Sequence, residues 1–247
     1  MMADLSGKKA FVTGGARGIG AAIVRRLARD GAELAFTYVG SRDTAEALAA
    51  EIVSNGGKAQ AIQADSADAA ALSGAIAKAA DRMGGLDILV ANAGVFTPGT
   101  IDEFKLDDFD RTLAVNVRGV FVAAQEAARH LGSGGRIITI GSTNAGRAPF
   151  PGMAPYAMSK AAVAGLVRGL ARDLGPRGIT VNNVQPGPVD TDMNPDSGDF
   201  AAMVRASTAL NRYADVSEIA AFVAWLSSAE ASYLTGASLT IDGGFQA

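Results

Sequence analysis

Cysteine is absent and histidine occurs once, as His130. Disulfides, thiolate metal sites and a cysteine nucleophile are therefore excluded, and a histidine-rich metal centre nearly so. The lack of cysteine fits a reducing compartment. Long apolar runs are missing too. Stretches such as Ile137 to Ile140 fall far short of the ~20 residues that a spanning helix needs. The opening MMADLSGKKAFVTGG carries no long apolar export segment and runs straight into a strand-like stretch. A soluble, cytoplasmic chain with no membrane partner is expected. Charge of one sign is also lacking: 22 Lys and Arg stand against 25 Asp and Glu, a net −3. Without a basic excess, no nucleic-acid partner is expected. Proline is scarce, at 8 residues.

What the chain has is apolar mass and small side chains. It holds 247 residues, 49% hydrophobic and 19% charged, with 30 Gly and 50 Ala. A chain of this composition folds, and at this length it buries roughly three quarters of its unfolded surface. Small residues suit helices packed closely on a sheet. No Ser/Gly/Pro-rich linker divides the chain, so one domain over 1–247 is expected.

Short β-rich runs alternate with longer helical ones. Strands are expected at Lys9–Thr13, Glu33–Val39, Lys58–Ala64, Leu86–Ala91, Arg136–Gly141, Ile179–Val184 and Ser238–Ile241. Helices are expected at Arg17–Asp30, Arg42–Ser54, Asp68–Met83, Leu106–His130, Pro155–Leu174 and Val216–Ser228. The strands read as continuous apolar runs, which marks burial on both faces. The expected fold is a single-domain α/β, Rossmann-like, doubly wound parallel sheet with helices on both faces. The stretch Gly187 to Asp199 is irregular and holds four Asp. It reads as a solvated loop or as part of a substrate lid over 187–212, and its place after a strand end favours the lid.

Three motifs carry chemistry. After the first strand comes Thr13-Gly14-Gly15-Ala16-Arg17-Gly18-Ile19-Gly20. Such a glycine-rich turn lets backbone approach a pyrophosphate, whose charge then meets the positive end of the next helix. Asn92-Ala93-Gly94 closes the fourth strand, where small side chains leave room for a nucleotide. Tyr156 and Lys160 stand four apart on one helix face, where an ammonium favours the phenolate. Ser142 follows the fifth strand, and Asn116 lies in a helical stretch that suits Asn poorly unless its side chain has a task. Each residue alone has a bland reading, as surface pair, turn former or buried hydrogen bonder.

Together and in this order, these motifs resemble the short-chain dehydrogenase/reductase family over essentially the whole chain. TGGARGIG looks like its cofactor turn, ANAG its strand-four motif and YAMSK its Tyr-x-x-x-Lys site. VQPGPVDTD resembles its loop after strand six and TGASLTIDGG its last strand. Ala91 departs from the commoner Asn. Within the family the chain looks most like bacterial 3-oxoacyl-(acyl carrier protein) reductases. It is also similar to a branch that binds cyclic-di-GMP and disperses biofilms, clearest in GAAIVRR, FTYVGS, LARDLGPRGIT and PGPVDTDMNP.

The resemblance implies reversible nicotinamide-dependent reduction of a ketone or 3-oxoacyl carbonyl. Tyr156 would be the acid/base and Ser142 would bind the carbonyl oxygen. Lys160 would hold the ribose and lower the Tyr156 pKa, and Asn116 would anchor a water path. It implies no metal. Cofactor contacts would come from Gly14, Ala16, Arg17, Gly18, Ile19, Gly20, Tyr38, Ser41, Arg42, Asp65, Ser66, Asn92, Ala93, Gly94, Tyr156, Lys160, Pro186, Gly187, Val189 and Thr191. Substrate contacts would come from Ser142, Thr143, Asn144, Gln185 and Met193. The second strand ends near Tyr38 without the acid that selects NAD(H), so NADP(H) is expected, with NAD(H) possible. Arg17 and Arg42 are the cations available for a 2′-phosphate; both also read as plain surface charges. A homotetramer is expected through small residues of the Leu106–His130 helix (Ala123, Ala124, Ala127, Ala128) and of the Pro155–Leu174 helix (Ala161, Ala162, Ala164, Gly165, Gly169), and the resemblance adds the C-terminal strand. An acyl carrier protein is a possible partner, through Arg129, Arg147 and Arg172. The alternative is a non-enzymatic dinucleotide-binding regulatory protein on the same fold.

Overall fold

The computed structural model describes residues 3–247, so the first two residues of the expected 1–247 domain lie outside the described residues. Seven strands form one sheet in the order β3-β2-β1-β4-β5-β6-β7. They are β1 Lys9–Val12, β2 Glu33–Tyr38, β3 Ala59–Gln63, β4 Leu86–Ala91, β5 Leu131–Ile140, β6 Thr180–Pro186 and β7 Ser238–Ile241. Every neighbouring pair is parallel. The order reverses between β1 and β4, and the crevice at that reversal is where open parallel sheets take ligands.

The period-two alternation of strands divides the interior into two cores. In β1, Ala10 and Val12 join one cluster while Phe11 joins the other. In β5, Ile138 and Ile140 oppose Ile137 in the same way. Helices α1 (Gly18–Arg29), α2 (Arg42–Ser54) and α8 (Val216–Ser227) cover the first face. Helices α3 (Ala69–Met83), α5 (Val120–His130) and α6 (Ala154–Leu174) cover the second.

Three elements differ from the sequence expectation. The expected Leu106–His130 helix is α4 (Leu106–Leu113), a π turn at Ala114–Gly119 and then α5. β5 begins at Leu131, because Leu131 pairs with Leu86 before the register shifts near Ile88. The stretch read as irregular is followed by a short helix, α7 (Gly198–Ala206), whose Ala201 and Val204 pack with Tyr213 and Phe245. His130 ends α5 and lies 2.9 Å from the buried Glu126 carboxylate, a structural contact. Among the described residues no helix is long and apolar enough to cross a membrane, and no cluster of acidic, His or Cys side chains could hold a metal ion.

Candidate active site

The glycine-rich turn is held by hydroxyls and one carboxamide. Thr13 Oγ1 accepts the Asn92 and Ala93 N–H groups, each at 3.0 Å. Asn92 Nδ2 donates to the carbonyls of Thr13 and Gly14, both at 3.0 Å. Thr37 Oγ1 accepts the Gly14 N–H at 3.0 Å, and the Thr37 carbonyl accepts from Gly15 at 2.9 Å. The end of β4 and the end of β2 thus pin the turn from both sides. Gly20 is required by close approach: a Cβ there would lie 2.2 Å from the Gly14 carbonyl oxygen. At Gly18, where φ is +52°, a Cβ would meet nothing nearer than Thr191 at 3.6 Å. Arg17, the N-cap of α1, makes no capping hydrogen bond. The first turn of α1 is therefore open to an anion, as a pyrophosphate site requires.

This turn forms one end of a cavity of about 960 Å³ across the carboxyl ends of the central strands. Of the residues expected to touch a cofactor, Gly14, Ala16, Arg17, Gly18, Ile19, Gly20, Tyr38, Ser41, Asp65, Ser66, Asn92, Ala93, Gly94, Pro186, Gly187, Val189 and Thr191 all line it. Arg42 does not; its Nε donates to Glu46 at 2.9 Å, one helical turn along α2. Asp65 accepts from Arg111 at 2.9 Å and from the Ala67 N–H at 2.9 Å. Burial pushes the Asp65 pKa up, but these partners outweigh it and hold the carboxyl below its usual value.

Ser142, Tyr156 and Lys160 also line the cavity, with Thr143, Asn144 and Met193. Gln185 does not line it; it pairs with Thr240 on β7. Lys160 Nζ donates to the Ile140 carbonyl at 2.9 Å and sits 5.6 Å from the centre of the Tyr156 ring. Burial lowers the Lys160 pKa to about 8. The Tyr156 hydroxyl departs from the expected lowering. Its pKa is raised, because burial of the phenolate outweighs a hydrogen bond with Ser142. The hydrogen bond that Lys160 makes within the protein goes to the backbone rather than to the phenol, which leaves further N–H groups of its ammonium for other partners.

Asn116 lies behind the cavity wall, fully buried in the π turn. Its Oδ1 accepts the Val95 N–H at 2.9 Å, and its Nδ2 donates to the Val95 carbonyl at 3.0 Å and to Ser159 Oγ at 3.1 Å. The widened turn aims this carboxamide at the chain leaving β4, a recurrent use of π turns at functional sites. Both of its amide hydrogens are used within the protein.

The family model described as Enoyl-(Acyl carrier protein) reductase matches residues 14–246. The chain belongs to the short-chain dehydrogenase/reductase family. It is 49% identical, over the full length of both chains, to the Cyclic-di-GMP-binding biofilm dispersal mediator protein of Escherichia coli K12. A short-chain dehydrogenase/reductase from Serratia marcescens is 64% identical with a TM-score of 0.97, over 99% of this chain and 100% of that one. A short-chain dehydrogenase from Burkholderia cenocepacia, solved in complex with NADP, is 55% identical with a TM-score of 0.97 at the same coverage.

Part of the site carried no family motif in the sequence. Phe96, Pro98, Phe150, Met153, Phe200 and Phe245 line the cavity beyond Tyr156. They come from four separate stretches of chain, so no local pattern joins them. Thr37 was also missed, although a threonine amid apolar β2 residues is a signal for a buried hydroxyl with a partner.

Proposed function

We propose that the protein is an NADP(H)-dependent reductase of a small-molecule carbonyl compound. The observation that carries this reading is the convergence of Ser142, Tyr156 and Lys160 on the cavity that the glycine-rich turn opens. Bound nicotinamide would supply the hydride, and the chain would supply orientation and the proton. Gly14, Arg17, Gly18, Ile19 and Gly20 would hold the pyrophosphate, and Lys160 the ribose hydroxyls. Ser142 is placed to hydrogen-bond a substrate oxygen where charge builds during reduction. The Tyr156 hydroxyl, kept protonated by burial, is poised to give its proton to that oxygen. Asn116 acts through Val95 and Ser159, fixing the loop after β4 and the helix that bears Tyr156. Segment 187–212, with Thr191, Met193 and α7, forms the lid. NADP(H) is favoured by Arg17 and by the absence of an acid at Tyr38, and the NADP-bound Burkholderia relative supports it.

The test is NADPH oxidation against a panel of carbonyl compounds, followed by its absorbance. Turnover of at least one ketone supports the reading, and none with any of them refutes it. The Escherichia relative's name favours one second reading, a regulatory protein that binds cyclic-di-GMP. Calorimetry with that dinucleotide, with and without NADPH, separates the two.

A homotetramer would use the second face. The expected small-residue surface needs revision: Ala123, Ala124 and Ala127 lie inside the protomer. Among the residues that α5 and α6 leave exposed are Phe121, Met158, Ala161, Ala162 and Gly169, beside a shallow groove lined by Leu113, Val117 and Leu166 together with Asp110, Arg111 and Arg118. Light scattering of the purified chain tests the assembly.

A further inference from the structure

The two ends of the cavity differ in charge. The charged residues on its wall are Arg17, Asp65, Arg111, Asp192 and Lys160. Arg17 and Asp192 face each other at 3.7 Å beside the glycine-rich turn, and Asp65 and Arg111 pair at 2.9 Å. Lys160 is tied to the Ile140 carbonyl. Beyond Tyr156 the wall carries rings, prolines and methionines beside the uncharged polar Thr143 and Asn144, and no charged side chain. Phe96 packs edge-on to Tyr156, with ring centres 5.2 Å apart. Phe150 and Phe200 form a second edge-to-face pair at 5.3 Å, linking the loop after β5 to α7. Phe245 is almost fully buried.

Of the three cations that sequence offered for an acidic carrier, Arg147 and Arg129 are engaged within the protein. The Arg147 guanidinium stacks 5.1 Å from the Phe245 ring centre and donates to the Phe245 carbonyl. Gln246 Nε2 donates to the Thr143 carbonyl at 2.6 Å. These bonds fasten the last residues against the substrate loop, so the Phe245 wall is formed before substrate arrives. Arg129 is likewise occupied, by Glu126 at 2.7 Å.

We propose that this end of the cavity selects uncharged aryl ketones, with Phe150 and Phe200 setting the size of ring admitted. This rests on the reductase reading above. An aryl group on the carbonyl carbon would lie beside Phe96, where ring edges and faces attract. A carboxylate or a phosphate-bearing arm would leave water for a wall with no cation, which is costly. Phe245 is fastened, whereas Phe200 is half exposed on α7 and is the part of the wall that can yield.

The experiment measures kcat/KM with NADPH for acetophenone, a bicyclic aryl ketone (1-tetralone), acetoacetate and an acetoacetyl thioester. The expected result is that acetophenone exceeds acetoacetate and the thioester by at least about a hundredfold. Phe200→Ala and Phe150→Ala should raise KM for acetophenone and shift the ratio of 1-tetralone to acetophenone upward by about tenfold. If acetoacetate or the thioester is the better substrate, the proposal falls while the reductase reading stands. If NADPH binds but none of the four compounds oxidises it, while another ketone of the panel does, the proposal alone falls. If no ketone at all is turned over, both fall. The wild-type panel decides even where a Phe variant fails to fold.

Discussion

The glycine-rich end and the aromatic end of the cavity are built on different principles. At the first, Thr37 and Asn92 bond the backbone of the glycine-rich turn, and Thr13 Oγ1 accepts from the backbone of Asn92 and Ala93. That end is defined by hydrogen bonds of fixed direction, and a Cβ at Gly20 would collide with backbone. At the second end, Phe150, Phe200 and Phe245 meet through dispersion and ring quadrupoles, which have broad minima. A directional network tolerates no change of shape, whereas an apolar wall tolerates many at modest cost. The fold can therefore keep one cofactor and vary its substrate.

The largest expected effect is where the two ends meet. Tyr156→Phe keeps the ring that packs on Phe96 and removes the proton. Turnover should fall by about a hundredfold or more while NADPH affinity stays nearly unchanged. Retention of more than about half of wild-type turnover would contradict a proton-donating role.

A smaller effect tests the rigid end. Gly20→Ala places a methyl against the Gly14 carbonyl, and backbone has nowhere to yield. NADPH affinity should drop by at least about tenfold, with a stability loss of about 1–3 kcal/mol. Phe200→Ala, at the yielding end, should leave NADPH affinity near wild type. Equal losses of NADPH affinity in both variants would erase the contrast.

Next in size is the choice between cofactors. Arg17 lines the cavity with its guanidinium exposed, facing only Asp192 at 3.7 Å. Arg42 is engaged with Glu46 and lies off the wall. Arg17→Ala should lower the NADPH-to-NADH ratio of kcat/KM by about tenfold, the scale of one charge-assisted bond to phosphate. Arg42→Ala should leave that ratio within about twofold. The Arg17 effect should shrink at high salt, since the group is exposed.

Sequence disclosed these regions unequally, for physical reasons. The strands were legible because a parallel sheet buried on both faces demands continuous apolar runs, as in Ile137–Ile140 and Leu86–Ala91. The turn was legible because only glycine allows what Gly18 and Gly20 do. Asn116 was noticed as a misfit in a helix, yet the π turn that accommodates it has no composition of its own. For Arg42, sequence shows a charge near the end of β2 but not that its side chain pairs with Glu46, one turn on. The Phe150, Phe200 and Phe245 wall was invisible because its members are far apart in the chain, and their meeting is a property of the fold.

The smallest effect probes Lys160, which lies between the two ends. Burial lowers its pKa to about 8, and its Nζ bonds only a backbone carbonyl. An unfolded lysine titrates near 10.4. Below pH 8 both states hold the proton, so Lys160 adds no pH dependence. Above pH 8 the folded chain releases its proton first while the unfolded chain keeps its own. The unfolded state then binds more protons, and stability must rise with pH. Lys160→Met keeps an unbranched side chain and removes the titration. Between pH 8 and 9.5 the wild type should gain about 1–2 kcal/mol relative to Lys160→Met, read from urea denaturation of the cofactor-free chains. Loss of the bond to Ile140 shifts the variant by a constant and leaves this slope intact. A difference that stays flat over that range would mean that the ammonium is hydrated in solution, and that the wall between the two ends is wetter than its packing implies.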